Sequence, residues 1–358
     1  FDAIQHTTGG PTIDLVNQKL WAGDWTKGPA GGYGANVTDW AAQYDTFDTK
    51  VGLLAESVKW TVDTEKNQGT IVYQIRQGIR YFLNPASEAS RLVGGREITA
   101  DDLAFMLKRV TTDTKAYMYT SNPELRAANI TKTGPWEITV KLPLAALITG
   151  IQRLSDSTQL VPPEVVEKYG GQTSWKLSVG SGPFFVKDYV AGSTVILDRN
   201  PNYWEKDPIG PGKGNQLPYL DRVQYLIIPD TSTRQAALRT GKIDQMTGIN
   251  REDAALFRKS IPALLELQTP DSSWGNIAMR TDMPPFNDVR ARRAMLMATD
   301  FKTILQSLFG GRGQFHTYPV RLIKGYEAMY LPLEEAPPSV QELYVYNPEK
   351  AKQLLKEA

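Results

Sequence analysis

A mixed α/β fold built in several lobes is what this sequence predicts, and three observations predict it. Short alternating runs, such as Thr70-Ile-Val-Tyr-Gln-Ile-Arg76 and Trp136-Glu-Ile-Thr-Val-Lys-Leu142, have the period of two that half-buries a strand. Between them lie runs of helical period, the clearest placing Leu103, Met106, Leu107 and Val110 on one stripe. Strands and helices interleave without a strict β-α-β repeat, and 358 residues exceed one ordinary core. Two or three domains are therefore expected.

Taken in order, residues 1–45 are rich in Gly, Thr and aromatics, with Leu15, Leu20, Trp21 and Trp25 irregularly spaced. Gly28-Pro-Ala-Gly-Gly-Tyr-Gly34 reads as a loop; no Lys-Ser/Thr follows it, so it is not a phosphate cradle. After the strand at 70–76 a long polar loop is expected from Asn84 to Glu97. Thr99-Ala-Asp-Asp102 has the form of a capping box, and Lys108 and Arg109 sit in the last turn of the helix it opens. Pro162-Pro163 opens a short helix that ends near Gly170-Gly171. Phe184 and Val186 alternate with Phe185 and Lys187, and Val195 and Leu197 alternate with Thr194, Ile196 and Asp198. That is a hairpin with its turn near Ala191-Gly192, stopped by Asn200-Pro201 because proline offers no N–H to a ladder.

Further on, Tyr225–Pro229 reads as a buried strand, followed by a helix from Ser232 to a stop at Gly241. Ile243-Asp-Gln-Met246 reads as a short strand, Asp253–Lys259 as a helix and Trp274–Met279 as a strand. Asp288 caps a helix over Val289–Ala298, and Asp300 caps another that ends at Gly310. Asn347-Pro348-Glu349 combines an N-cap, a first-turn proline and an early acid. The chain begins at Phe1 without methionine and stops inside that last helix, which predicts a fragment of a longer product.

Composition narrows the function classes. Forty basic and 39 acidic side chains leave a net charge of +1, which argues against nucleic acid as the main partner. The dense run Arg290-Ala-Arg-Arg293 is expected on a solvated helix face. With no cysteine there are no disulfides, thiolate nucleophiles or Cys-ligated metals. A zinc site would need both histidines, His6 and His316, and distant carboxylates, so neither metal nor cofactor is expected. No apolar run approaches the roughly 20 residues of a membrane span.

Several blocks, in order, carry a resemblance. Leu53-Leu-Ala-Glu-Ser57 precedes Trp60, and Ile98-Thr-Ala-Asp-Asp102 opens a helix. The densest block runs from Gly180-Ser-Gly-Pro-Phe-Phe to Asn200-Pro-Asn-Tyr-Trp204. Pro229-Asp-Thr-Ser-Thr-Arg234 leads to Leu238-Arg-Thr-Gly-Lys-Ile-Asp244. Pro285-Phe-Asn-Asp-Val-Arg-Ala-Arg-Arg-Ala294 and Tyr346-Asn-Pro-Glu-Lys-Ala-Lys-Gln-Leu-Leu355 complete the series. Together they resemble the extracellular solute-binding proteins of ABC importers, the peptide/nickel-binding family.

That resemblance implies a periplasmic-binding-protein-like two-lobe architecture with an inserted α+β subdomain. Residues 1–30 and 165–272 would form the first lobe, 31–164 the insert and 273–358 the start of an incomplete second lobe. It implies an extracytoplasmic monomer, lipid-anchored through a segment ahead of Phe1, that captures a peptide between lobes and delivers it to a membrane permease. The acid that would hold a peptide amine is expected beyond Ala358. Candidate ligand contacts are Trp21 and Trp25, Tyr117 and Tyr119, and Trp274, Asn276 and Ala278, the last three sharing one face of their strand. Each aromatic has a plain alternative as core packing.

Other readings stay open at this point. A binding protein of the same fold could hold an oligosaccharide or chelated nickel. A secreted hydrolase acting on peptides or glycosides would be a different class. Against it, the chain has no Gly-x-Ser-x-Gly elbow, and both histidines lie in loop-like segments. Gly310-Gly-Arg-Gly313 follows a helix, so it is no dinucleotide fingerprint.

Overall fold

The computed structural model describes residues 2, 4, 11–28, 47–267, 277–313 and 330–358. Its contacts divide the chain into two compact units, Phe1–Leu267 and Gln268–Ala358.

The first unit opens with α1 (Pro11–Val16) and a two-stranded ribbon of β1 (Trp21–Gly23) and β2 (Lys50–Gly52). A four-stranded antiparallel sheet follows in the order β3 (Ala55–Asp63), β4 (Gln68–Ile75), β6 (Glu137–Pro143), β5 (Asn129–Gly134). Four helices belong to this part: α2 (Glu88–Val93), α3 (Ala100–Thr112), α4 (Tyr117–Ser121) and α5 (Leu147–Asp156). The strict alternation of β4 buries Ile71, Tyr73 and Ile75 in one core with Ile138, Val140 and Leu142 of β6, where α3 and α5 cover them.

The Thr99 capping box forms in full, and Leu103, Met106, Leu107 and Val110 are all buried. Thr99→Ala is expected to cost about 1 kcal/mol of stability, the ordinary worth of an N-cap hydroxyl. Urea unfolding monitored by circular dichroism reads it, and an unchanged midpoint would show that Asp102 caps the helix alone. Asp102 is itself held by Arg96, which also grips Glu164 and so ties α3 to α6 (Pro163–Tyr169).

The hairpin is β7 (Phe184–Val190) and β8 (Thr194–Arg199), extended by β9 (Arg222–Leu226) into a three-stranded sheet. Its turn holds Gly192 at φ +70°, a conformation suited to glycine. A β-bulge between Val186 and Asp188 shifts the pairing by one residue. Phe184, Val186 and Tyr189 therefore pack on the same small core despite their uneven spacing. Two further helices close the unit, α7 (Thr231–Arg239) and α8 (Arg251–Ser260).

In the second unit α9 (Val289–Met297), α10 (Phe301–Phe309), α11 (Pro338–Gln341) and α12 (Pro348–Glu357) are joined by caps read in the sequence. Asp288, Asp300 and Asn347 each accept from a first-turn backbone N–H. Ala294, Met297 and Ala351 form the small core between α9 and α12.

Three expectations need correction, and a fourth lies mostly outside the described residues. The polar stretch 84–97 contains α2, because Ser87 caps its start and Gly94 takes the left-handed position at its end. The strand expected over Tyr225–Pro229 is instead Arg222–Leu226, half-exposed, because it lies at the end of its sheet's strand order and buries neither face fully. Ile243–Met246 forms no strand; among the described residues its four residues pair with no ladder, and they are half-buried to exposed. Most of Trp274–Met279 lies outside the described residues, and its tail, Ile277–Met279, has no regular structure. The arginines of the basic run sit on a partly exposed face, as expected, and are paired there: Arg290 with Asp288, Arg292 with the Phe286 carbonyl and Arg293 with Glu342.

Candidate functional site

The best-built polar assembly in the first unit lies where α1, β1, β2 and α5 meet. Backbone bonds fix the ribbon: Leu53 and Ala55 N–H both donate to Leu20 O, and Asp24 N–H donates to Thr49 O. Trp21 on β1 is buried, with its ring 5.6 Å from that of Phe47, which in turn meets Trp60 edge-on at 5.5 Å. Trp60 on β3 is 40% exposed, so this aromatic run leads from the core to the surface. Trp25 follows in a single helical turn capped by Asp24 and is half-buried.

Beneath the ribbon lies a charged knot. Lys50 Nζ stands 3.1 Å from Asp156 Oδ1, with both side chains almost fully buried. Lys19 Nζ stands 3.3 Å from Asp14 Oδ1, and Gln159 donates to that same oxygen at 2.6 Å. Burial pushes the Asp156 carboxyl up to about 6, against the opposing pull of Lys50 and Lys19. Sequence reasoning did not find this knot. Its members are far apart in the chain, and no local spacing marks them.

The signature hairpin is anchored to the same N-terminal segment. Gln18 Nε2 donates to the Tyr203 hydroxyl at 3.1 Å, and Gln18 Oε1 accepts from Trp204 Nε1 and Ser181 Oγ at 3.1 and 3.2 Å. The Arg76 guanidinium lies 4.6 Å over the Trp204 ring. Tyr203-Trp204 is thus a brace between the hairpin and the start of β1. The Tyr203 hydroxyl is held well above its usual range by burial and by neighbouring Glu205.

The expected contact residues fall into separate groups. Trp21 lies on the ribbon and Trp25 in the helical turn that follows it, and Tyr117 and Tyr119 lie on α4. Tyr117 is 42% exposed, whereas Tyr119 carries Arg126 over its ring at 4.0 Å. Helix α4 packs on α3 and on the helical turn over Pro123–Ala127. Ala278 is exposed in the second unit, and Trp274 and Asn276 lie outside the described residues, as do both histidines and most of the Gly28–Gly34 loop. Among the described residues no cluster of His, Cys, Asp or Glu could hold a metal ion, and no helix is long and apolar enough to cross a membrane.

Comparison with known proteins adds to this geometry. The profile of the bacterial extracellular solute-binding proteins, family 5 Middle, matches residues 49–358. Heme-binding protein A of Haemophilus influenzae is 26% identical over 337 residues, covering 85% of this chain and 53% of that protein. The glutathione-binding protein GsiB of Shigella boydii is 27% identical over 306 residues, covering 86% of this chain and 52% of that protein. The oligopeptide-binding protein AppA from Bacillus subtilis, solved with a nonapeptide, superposes with a TM-score of 0.68 at 22% identity. That match covers 100% of this chain and 61% of AppA. A dipeptide-binding protein from Pseudoalteromonas, solved with Met-Leu, gives 0.67 at 17% identity, covering 100% and 64%. At such identities the structural matches speak for the fold. The chain spans about half the length of the curated relatives it matches.

Proposed function

The chain belongs to the bacterial extracellular solute-binding proteins of family 5, and from that premise we propose that the whole protein captures a peptide outside the cytoplasm and hands it to an ABC-transporter permease. The observation that carries this reading is the profile match over 49–358, which spans most of the proposed insert, the hairpin over 184–199 and the second unit. Peptide is the favoured class because relatives and neighbours named for glutathione, a nonapeptide and Met-Leu surround the chain in both comparisons. Such a protein works by binding: ligand contacts on two lobes stabilise the closed form over the open one. No bond chemistry is required of it.

Within this reading the first lobe is 1–30 with 165–272, the insert is 31–164, and the second lobe begins at 273. Trp21, Trp25, Tyr117, Tyr119, Trp274, Asn276 and Ala278 are the proposed wall. Apolar walls with a few placed polar groups suit a peptide held by its main chain, with side chains left in roomy subsites.

Native mass spectrometry of the full-length protein from its natural source tests the proposal, and a peptide released on denaturation is the expected result. Release of heme or a sugar would replace the ligand class, and release of nothing together with peptide turnover would favour a hydrolase. Trp274→Ala with Asn276→Ala should then weaken binding of the released peptide at least tenfold by calorimetry, with the thermal midpoint preserved. Unchanged affinity would remove both residues from the wall.

A further inference from the structure

Helix α4 carries two tyrosines of the proposed wall, yet its length alone would not hold it in shape. Its five residues fall far short of the roughly 12–15 that an isolated helix needs in water. Ala116 at its start makes no side-chain cap, and Asn122 at its end closes on Met118 O through its backbone N–H at 2.9 Å. Two anchors come from the core. Met118 and Leu125 are buried there, and the Tyr119 ring packs against the same cluster.

These anchors fix where α4 lies but leave its last carbonyls, which no later helical N–H reaches, to other donors. The Thr120 and Ser121 hydroxyls each donate to Tyr117 O at 2.9 Å. Arg126, exposed in the turn over Pro123–Ala127, takes Tyr119 O. Its Nε and Nη2 both donate to that oxygen, at 2.9 and 2.7 Å. Its guanidinium also lies 4.0 Å over the Tyr119 ring. One side chain thereby grips both the backbone and the ring of the same residue.

We propose that Arg126 is a positioning residue for the ligand: it locks α4 and the Tyr119 ring before a peptide arrives, so that Tyr117 and Tyr119 meet it already ordered. The inference rests on the peptide reading, which puts both tyrosines in the wall. Ordering side chains and loops is a cost of association, and a group that orders them beforehand removes it from the binding step. Tyrosine suits such a wall, because a large contact area follows from fixing two torsions. Both grips call for a guanidinium. An ammonium offers one point of charge to the carbonyl and no plane to lay on the ring.

Arg126→Ala, Arg126→Lys and Arg91→Ala, made in the full-length protein, test the proposal. Arg91 is the control, an exposed arginine on α2 whose Nη1 also donates to a carbonyl, that of Pro85. Hydrogen exchange at residues 120–122, read by mass spectrometry, should quicken at least tenfold in Arg126→Ala and by less in Arg126→Lys. Unchanged exchange in Arg126→Ala overturns the proposal, because Met118 and Leu125 would then hold α4 without it. Binding is read by native mass spectrometry as the fraction of protein carrying glutathione, Met-Leu or members of a random nonapeptide library, each below saturation. A fall of fivefold or more in Arg126→Ala, partly rescued in Arg126→Lys and absent in Arg91→Ala, with the thermal midpoint kept, is the expected result. An equal fall in Arg91→Ala overturns the proposal as general loosening. Faster exchange with unchanged binding overturns it too and takes α4 out of the wall, leaving the peptide reading in place. A wild type that carries none of the probes overturns the peptide reading and this role of Arg126 together.

Discussion

Gly182→Ala is expected to lower the unfolding free energy by roughly 3 kcal/mol, more than any ordinary surface or cap substitution. The reason is close approach of two backbones rather than torsional freedom, since Gly182 is absent from the positive-φ glycines. Its N–H donates to Val16 O at 2.8 Å, and an added Cβ would lie 2.8 Å from that oxygen and closer still to Leu15 O. Both atoms are main chain, so no flexible side chain can yield. The substitution would push the hairpin away from α1 and loosen the bonds that Gln18 makes to Ser181, Tyr203 and Trp204. Gly192→Ala is the matched comparison: open space surrounds it, and only its positive φ is strained, for about 1 kcal/mol. Urea unfolding with an unchanged m-value measures both. Equal losses at the two glycines would mean that the 180–182 turn shifts freely, and the brace reading would fail.

That comparison also shows what the sequence could and could not reveal. The glycine turn, the alternating strands and Asn200-Pro201 were legible because each is set within a few residues. So were the Thr99 capping box and the caps at Asp288, Asp300 and Asn347. Helix α2 was missed although Ser87 and Gly94 bracket it, because its six residues are too few to show a period. Ile243–Met246 alternated well enough to suggest a strand, yet alternation makes a strand only where a partner offers its ladder. What a glycine touches, and which acid meets which lysine, depends on separations that local spacing cannot encode. Gln18 meets residues 163 to 186 positions away, and Lys50 meets Asp156 across 106. The candidate wall was legible only as residue types. Its aromatics divide between a buried Trp21 and a surface Tyr117, and that division is a property of packing.

Lys50→Met should destabilise the chain by about 3–5 kcal/mol at pH 8, because it leaves the Asp156 carboxylate buried without its partner. The loss should shrink at pH 5. Removing the cation takes away the largest of the influences that hold the Asp156 carboxyl down, so its already raised value climbs further and the group is neutral in the folded variant. A neutral carboxyl tolerates burial, and the variant then forfeits little beyond the contacts of one side chain. Pairing Lys50→Met with Asp156→Leu should restore most of the stability at both pH values, since replacing both members of a buried pair by apolar groups is often neutral. Urea unfolding of the three variants at pH 5 and pH 8 provides the test. A single-variant loss that is the same at both values, or a double variant no better than the single, would show that the pair is not an isolated electrostatic unit. With the predicted pattern, the buried charges contribute little net stability. Their value then lies in fixing where the Trp21 ribbon sits, which an apolar pair of equal volume would leave unspecified.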